Sequence, residues 1–385
     1  MTNNRLKILK IIALIAFVVI AVEVVAIVYV KHIPKKDTSY YYDYVRSVDI
    51  NKDGFVAVGS NNNNTLKYDK GKIAVYNENK EKVLERVYNK GYHSYFYDVE
   101  TISDGYVTVG SYESTKLERE NGKQTALIVK YDNKGNVVFD EDFAIIGDSK
   151  YMSVAYDDGF YVCGQSITNK GSSSGAVLVK YDKEGKEEWV KYYGNKNSIF
   201  YDLVIANDSV YAVGYKDKNT AVVVRFNKSG DYVTSYEYVG TDELGFTHIE
   251  SYNNELYVCG ANQSNRGLIA RFDYDCHFIN DSFCSKSGNI HYQSFVIDGD
   301  GNIIVIGNVV TTNDEEESSD GVIGKYNSGL KELSVVRYST DRNIYFHDIS
   351  IYDKKYLVVG DSVKASKDVD AKVMFFSTAL KILEV

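Results

Sequence analysis

Short apolar segments that each end in a glycine, and that we expect to be strands, recur along the chain at a regular interval. Seven copies occur, and their glycines are separated by 46 to 54 residues. After a polar loop, each copy is followed by a second apolar segment that closes with an aromatic residue. The interval indicates internal repeats, each of them one structural unit. The copies read FVAVG, YVTVG, YVCG, YAVG, YVCG, IIVIG and YLVVG, with glycines at Gly59, Gly110, Gly164, Gly214, Gly260, Gly307 and Gly360.

Each repeat has the pattern of four short strands. Asp or Asn follows the closing aromatic residue in six copies, and glycine comes a few residues later, as in DNKGN and DKEGK. This pattern predicts a hairpin that leads into a further strand. Four-stranded units repeated at this interval are typical of β-propeller blades, because each twisted sheet buries both faces against its neighbours. The sequence therefore predicts an all-β fold, a seven-bladed β-propeller over residues 39–385.

A continuous apolar run precedes the repeats. Residues 11–30 are long enough to cross a bilayer as one helix, and only Glu23 interrupts them. The run is longer than the apolar region of a cleaved leader, so we expect an uncleaved signal anchor in the cell membrane that leaves the propeller outside the cytoplasm. The predicted segments are a short basic cytoplasmic tail at 1–10, a transmembrane helix at 11–30, a linker at 31–38 and the propeller at 39–385.

The repeats resemble those of a known group of proteins. Units of the form DGYVTVGS followed by ALIVKYDNKGNVV, at 104–111 and 126–138, are similar to the β-propeller repeats of secreted and surface-attached bacterial proteins. The resemblance covers nearly the whole body of the chain. It implies the propeller fold, but it implies no single activity and no site residues.

Composition narrows the range of functions. The chain has 35 Tyr and one Pro, which favours strands linked by Gly, Asn and Asp turns. Its formal net charge is −9 with scattered basic residues, so we expect no nucleic-acid partner. The four cysteines lack the spacing of a metal site, and no phosphate loop or dinucleotide fingerprint is present. We therefore expect neither a metal nor a cofactor.

A polar residue recurs about twelve positions before each repeat glycine. The residue two positions before it is apolar in every copy, so the pattern places this polar column on the first strand of each blade. If that strand is innermost, the column forms a ring around the central axis, here called the polar ring. Its members, which are the candidate ligand-binding residues, are Ser47, Asp98, Ser153, Asp202, His248, Ser294 and Asp348.

Two interpretations of the polar ring are open. Carboxylates and a histidine at a channel mouth could coordinate a cation or supply acid and base to a bound sugar or peptide. A Ser or Asp that recurs in every blade is more simply explained as a hydrogen-bond partner for backbone amides of its own or an adjacent blade. Recurrence in all seven copies favours the structural interpretation.

Two acidic turns have some likeness to calcium loops. They are DINKDG at 49–54 and DGDGN at 298–302, and the first lacks the glutamate that closes such a loop. Plain Asp/Gly turns are the simpler explanation of both, because the full set of calcium ligands is missing. Closure of the ring is also open, because the last repeat already holds its own fourth strand. Blades seven and one could pack by side chains alone, or 39–42 could add an edge strand.

The features of the chain favour binding over catalysis. No nucleophile motif accompanies the histidines, so no catalytic residue is assigned. We expect a non-catalytic, membrane-anchored module that binds a protein or a cell-surface glycan. The alternative is a membrane-anchored enzyme that acts on glycans or peptides through Asp98, Asp202 and Asp348.

Overall fold

The computed structural model describes residues 42–62, 68–115, 123–143, 147–168, 174–217, 219–239, 245–262, 264–313, 316–364 and 369–384. The predicted tail, transmembrane helix and linker lie outside these residues. Within the described ranges, no helix has the length and apolar character needed to cross a membrane. All described residues belong to one compact unit, Tyr41–Val385.

These residues form 28 β-strands in seven groups of four. The first four groups are β1 Tyr42–Asn51, β2 Gly54–Asn62, β3 Lys70–Asn77, β4 Lys82–Tyr88; β5 His93–Ile102, β6 Gly105–Glu113, β7 Thr125–Asp132, β8 Val137–Asp142; β9 Asp148–Tyr156, β10 Phe160–Ile167, β11 Gly175–Tyr181, β12 Glu187–Tyr193; and β13 Ile199–Ala206, β14 Ser209–Asp217, β15 Thr220–Asn227, β16 Tyr232–Val239. The last three are β17 Phe246–Tyr252, β18 Glu255–Ala261, β19 Gly267–Asp273, β20 Phe278–Phe283; β21 Asn289–Ile297, β22 Ile303–Asn313, β23 Glu316–Tyr326, β24 Glu332–Tyr338; and β25 Asn343–Tyr352, β26 Lys355–Val363, β27 Val369–Phe376, β28 Ile382–Glu384.

The seven groups are the blades of a closed ring. In each group, the four strands pair antiparallel in chain order. The first strands of consecutive groups lie against one another from β1 to β25, and β25 returns to β1. The first strand of every blade is therefore innermost. The prediction of a seven-bladed β-propeller with four strands per repeat is confirmed.

Hydrophobic clusters fill the spaces between neighbouring blades. Each of the seven clusters takes its buried side chains from two consecutive blades, and one of them joins blade seven to blade one. In six blades, the apolar residue two before the polar ring meets the closing aromatic residue edge-on, as Phe200 meets Phe226 at 6.2 Å. The aromatic positions that repeat in the sequence thus form the core of each blade.

Every innermost strand carries a β-bulge directly before its polar-ring residue. In blade four, the bulge brings the backbone so close to the facing glycine that a Cβ on Gly214 would lie 2.0 Å from Ile199 O. The other six repeat glycines face a carbonyl oxygen at 1.9 to 2.2 Å in the same way. Only glycine fits there. The strand also continues beyond the glycine, which therefore marks the bulge and not a strand end.

The ring closes without exchange of a strand between its two ends. Blade seven forms its fourth strand from its own residues, and β1 pairs with β27 only at Tyr42 and Val369, in parallel. Val45 N donates to Asp361 Oδ1 at 3.0 Å, across 316 positions of sequence. A cluster that includes Phe55 and Phe375 packs beneath this seam. Closure thus combines side-chain packing with a short edge contact at the start of β1.

The glycine requirement at the bulge predicts a stability difference between two matched substitutions. Gly214→Ala should destabilise the fold by about 3 kcal/mol, because the new methyl group meets a backbone oxygen that packing holds in place. Gly299→Ala is the control, since a Cβ there has no atom within 4 Å. Urea unfolding followed by circular dichroism measures both variants. Equal stabilities would contradict the steric role of the repeat glycine.

Candidate functional site

The central channel is a cavity of about 500 Å³ lined by all seven innermost strands. Three levels of side chains face it. The bulged residues form the first level, the polar ring the second, and the residues two positions further along each strand the third. The structure therefore brings all seven predicted site residues together around one axis. Sequence analysis missed the bulged level, which consists of Arg46, Tyr97, Met152, Tyr201, Thr247, Gln293 and His347.

The carboxylates of the polar ring connect neighbouring blades. Asp98 Oδ1 accepts hydrogen bonds from Ser47 Oγ of the preceding blade and from Val99 N, both at 2.8 Å. Its Oδ2 accepts from Val154 N of the following blade at 2.9 Å. The other two aspartates accept the same three kinds of hydrogen bond. Asp202 accepts from Ser153 Oγ (2.6 Å), Leu203 N (2.8 Å) and Ile249 N (2.9 Å). Asp348 accepts from Ser294 Oγ (2.8 Å), Ile349 N (2.9 Å) and Val48 N (2.9 Å).

His248 occupies the position that breaks this alternation. Ser and Asp form three pairs, and an odd number of blades leaves one place over. His248 Nδ1 lies 2.7 Å from Asp202 Oδ2, and its ring packs edge-on against Phe295 at 5.0 Å. Burial opposes protonation of the imidazole, but Asp202 and Glu250 outweigh it and raise the pKa of His248 well above its ordinary value. Both carboxylates therefore favour the protonated form of His248.

Three further carboxylates line the third level: Asp49, Glu100 and Glu250. Asp49 also joins two blades, because its Oδ2 accepts from Thr101 N at 2.7 Å. Burial raises the pKa of Glu100 to about 8, and the charges of Asp49 and Asp98 add to the shift. Burial, with the charge of Asp202, also raises the pKa of Asp98 to about 7. The channel thus retains protons near neutral pH.

A charged cluster at the seam between blades seven and one was also missed by sequence analysis. His347 Nε2 lies 2.7 Å from Asp361 Oδ2, and Arg46 Nη1 lies 3.3 Å from His347 Nδ1. Burial, followed by the charge of Arg46, lowers the pKa of His347, so its ring is neutral. Both ring nitrogens face partners within the seam, which makes this pair part of ring closure.

The acidic turn at 298–302 uses its carboxylate for hydrogen bonds within the turn. Asp298 Oδ1 accepts from Asp300 N at 3.0 Å and from Asn302 N at 2.8 Å, so the turn uses its own carboxylate. Across the ranges that the structure describes, no group of three His, Cys, Asp or Glu side chains is arranged to hold a metal ion.

The contacts of the polar ring predict a large structural effect for one carboxylate. Asp202→Ala should destabilise the fold by about 3 to 5 kcal/mol, because it leaves buried amides without an acceptor and removes the nearer of the two carboxylates beside His248. Asp300→Ala, at an exposed turn, should change stability little. Thermal unfolding of the two variants compares them. A stable Asp202→Ala protein would contradict the structural role of the ring.

The raised carboxyl pKa values predict how stability depends on pH. The pKa of Glu100 is near its ordinary value of 4.5 in the unfolded chain and about 8 in the fold, so the folded state binds more protons between these values. Its contribution to stability is present at low pH and is lost as the pH rises towards 8. Glu100→Gln should reduce this loss, and it should raise the melting temperature at pH 9 more than at pH 5.

The control for this experiment is Glu184→Gln, at an exposed turn. The melting temperatures of both variants and the parent chain are measured between pH 4.5 and 9. Parallel curves for all three proteins would contradict the raised pKa of Glu100.

Comparisons with known proteins support the fold alone. No family model matches the chain, and no curated protein matches its sequence. The Dos1 propeller is similar at a TM-score of 0.53 and 8% identity, over 87% of this chain and 81% of that one. The propeller domain of the Trilobed protease from Pyrococcus furiosus, which has an open velcro topology, gives 0.52 and 9% over 90% and 95%. A protein from Lactobacillus plantarum gives 0.51 and 10% over 90% and 95%. These similarities and the seven four-stranded blades give the chain the β-propeller fold.

Proposed function

We propose that the chain is a membrane-anchored, extracytoplasmic propeller that binds a protein or glycan partner and catalyses no reaction. One observation carries the proposal. Both oxygens of Asp98, Asp202 and Asp348 accept hydrogen bonds that join neighbouring blades. Carboxylates used in this way are parts of the frame, and a general acid or base must instead be able to reach a bound substrate.

The binding surface in this proposal is the face where the innermost strands begin. Six partly buried tyrosines lie there, each with part of its ring accessible. Tyrosine suits a recognition surface because it combines a large apolar ring with a polar hydroxyl and has little side-chain entropy to lose. These residues are Tyr44, Tyr95, Tyr97, Tyr201, Tyr215 and Tyr345.

The location outside the cytoplasm rests on the amino-terminal sequence. The apolar run at 11–30 has the length of a membrane-spanning helix, and basic residues precede it. A body held by such an anchor and a short linker stays close to the membrane surface. A rigid ring with a tyrosine-rich face suits the capture of a partner at that surface.

The alternative function, hydrolysis of glycans or peptides, makes a different demand on the channel. It needs a carboxylate whose removal stops turnover and leaves the fold intact. The blade-joining contacts of Asp98, Asp202 and Asp348 oppose this, because removal of any of them exposes unpaired amides in the core of the ring.

The test is crosslinking on intact cells with the full-length chain. A membrane-impermeant crosslinker is added, the chain is purified in detergent, and its captured partners are compared with those of an unrelated anchored propeller. We expect one partner to be enriched, and Tyr95→Ala combined with Tyr345→Ala to reduce its recovery about tenfold. Tyr232→Ala, exposed on an outermost strand, is the control and should leave recovery unchanged.

Three outcomes would count against the proposal. Capture that occurs only after cell lysis would contradict the external location. Equal recovery with all tyrosine variants would contradict the proposed face. Turnover of a glycan or peptide panel that Asp98→Asn abolishes in a folded protein would establish the enzymatic alternative.

A further inference from the structure

Glu113, the last residue of β6, is buried, and one oxygen of its carboxylate has no hydrogen-bond partner. It is only 6% exposed, and its Oε2 makes no hydrogen bond. A carboxylate removed from water without a partner costs several kcal/mol, so such groups are rare unless a ligand or a cation completes them. Glu113 differs in this from the carboxylates of the polar ring, all of which have partners.

Glu113 lies among tyrosines of the proposed binding face. It pairs with His93 across β5 and β6, which places it on the same side of the sheet as Tyr95. The rings of Tyr95 and Tyr97 are nearly parallel, at 13°, with their centroids 6.5 Å apart. Burial raises the pKa of both phenols, and the charge of Glu113 contributes to both shifts. Its carboxylate is therefore close to both rings.

Two more carboxylates accompany this arrangement. Asp69 Oδ2 accepts from Tyr95 OH at 3.2 Å. Burial and the charge of Glu113 raise the pKa of Tyr97, and the charge of Asp148 adds a smaller increase. Asp148 Oδ1 accepts a hydrogen bond from Gln124 N at 3.0 Å. The blade-2 cluster therefore consists of Asp69, Tyr95, Tyr97, Glu113 and Asp148. It combines three carboxylates with two aromatic rings.

Several basic groups lie near the blade-2 cluster. Lys70 Nζ donates to Gly91 O at 2.7 Å, and Arg46 belongs to the seam with His347 and Asp361. His93 Nδ1 lies 3.0 Å from Asp69 Oδ2, and Asp148 acts on the charge of Lys150. No ion pair of Glu113 occurs among the residues that the structure describes. The carboxylate of Glu113 is therefore the member of the cluster that is available to a ligand.

We propose that the blade-2 cluster binds an ammonium or guanidinium group presented by a basic segment of a partner protein. This inference rests on the proposed binding function and names the charged group that the face recognises. Aromatic faces attract organic cations, and a desolvated carboxylate strengthens that attraction. The described side chains include no three-ligand metal grouping, which favours a larger cation held by hydrogen bonds. The net charge of −9 also attracts a basic partner.

A first experiment separates a ligand site from a structural role. Glu113→Gln removes an unpaired buried charge, so the full-length variant in neutral detergent should melt at the same temperature as the parent or a few degrees higher. A residue that held the fold together would lower the melting temperature when replaced. A drop of several degrees would overturn the proposal.

A second experiment measures binding by isothermal titration calorimetry with an acetylated, amidated hexalysine peptide as the probe. Glu113→Gln should weaken binding at least tenfold at 150 mM salt. Glu141→Gln, exposed on β8, carries the same charge change and should bind as the parent chain does. Equal affinities for all three proteins would show attraction by overall charge only and would overturn the site.

Two further measurements complete the test. The first distinguishes a free amine from a protein segment as the source of the cation, and the second distinguishes failure of this inference from failure of the proposed binding function. Butylammonium that competes with the peptide at equal concentration would identify a free amine as the ligand and would overturn the assignment to a protein segment. In the crosslinking experiment, Glu113→Gln should lose the partner that the parent chain captures. If the variant captures it equally well, the binding function stands and this inference fails.

Discussion

Hydrogen bonds between neighbouring innermost strands hold the axis of this propeller together. A bulge in each inner strand turns the following amide away from its own sheet, and a buried amide needs an acceptor. Three aspartates accept from six of these amides, their own and those of the next blades. The repeat glycines follow from the same bulge, because the displaced carbonyl occupies the space of a Cβ.

The use of aspartates as acceptors at the axis concentrates negative charge in the central channel, where little water can reach it. Six carboxylates line a channel that also holds Arg46 and His248, and the carboxylates raise the pKa of His248. The raised pKa values of Glu100 and Asp98 are the consequence, since protonation costs less than burial of every charge. The odd number of blades explains why His248 breaks the alternation of Ser and Asp, and why it lies against an aspartate.

A frame made rigid in this way allows its surface to vary. Seven interblade cores and the polar ring stabilise the ring, and the face where the inner strands begin adds the short edge contact of Tyr42 with Val369. That face can therefore carry residues that weaken the isolated fold, such as the unpaired Glu113 among tyrosines. Function resides in the local chemistry that a fold carries, so this face can vary while the ring is retained.

The sequence by itself determined the number of blades, the four strands of each blade and the membership of the polar ring, because all of these repeat at one period. It also favoured the structural interpretation of the ring, which the hydrogen bonds of Asp98, Asp202 and Asp348 support. Only the tertiary structure decided which groups meet across the ring. Asp361 accepts a hydrogen bond from Val45 N across 316 positions, and the bulge at Tyr97 breaks the simple alternation of side chains along β5. Local patterns repeat along the chain, whereas contacts between the two ends and at bulges depend on a ring that has already closed.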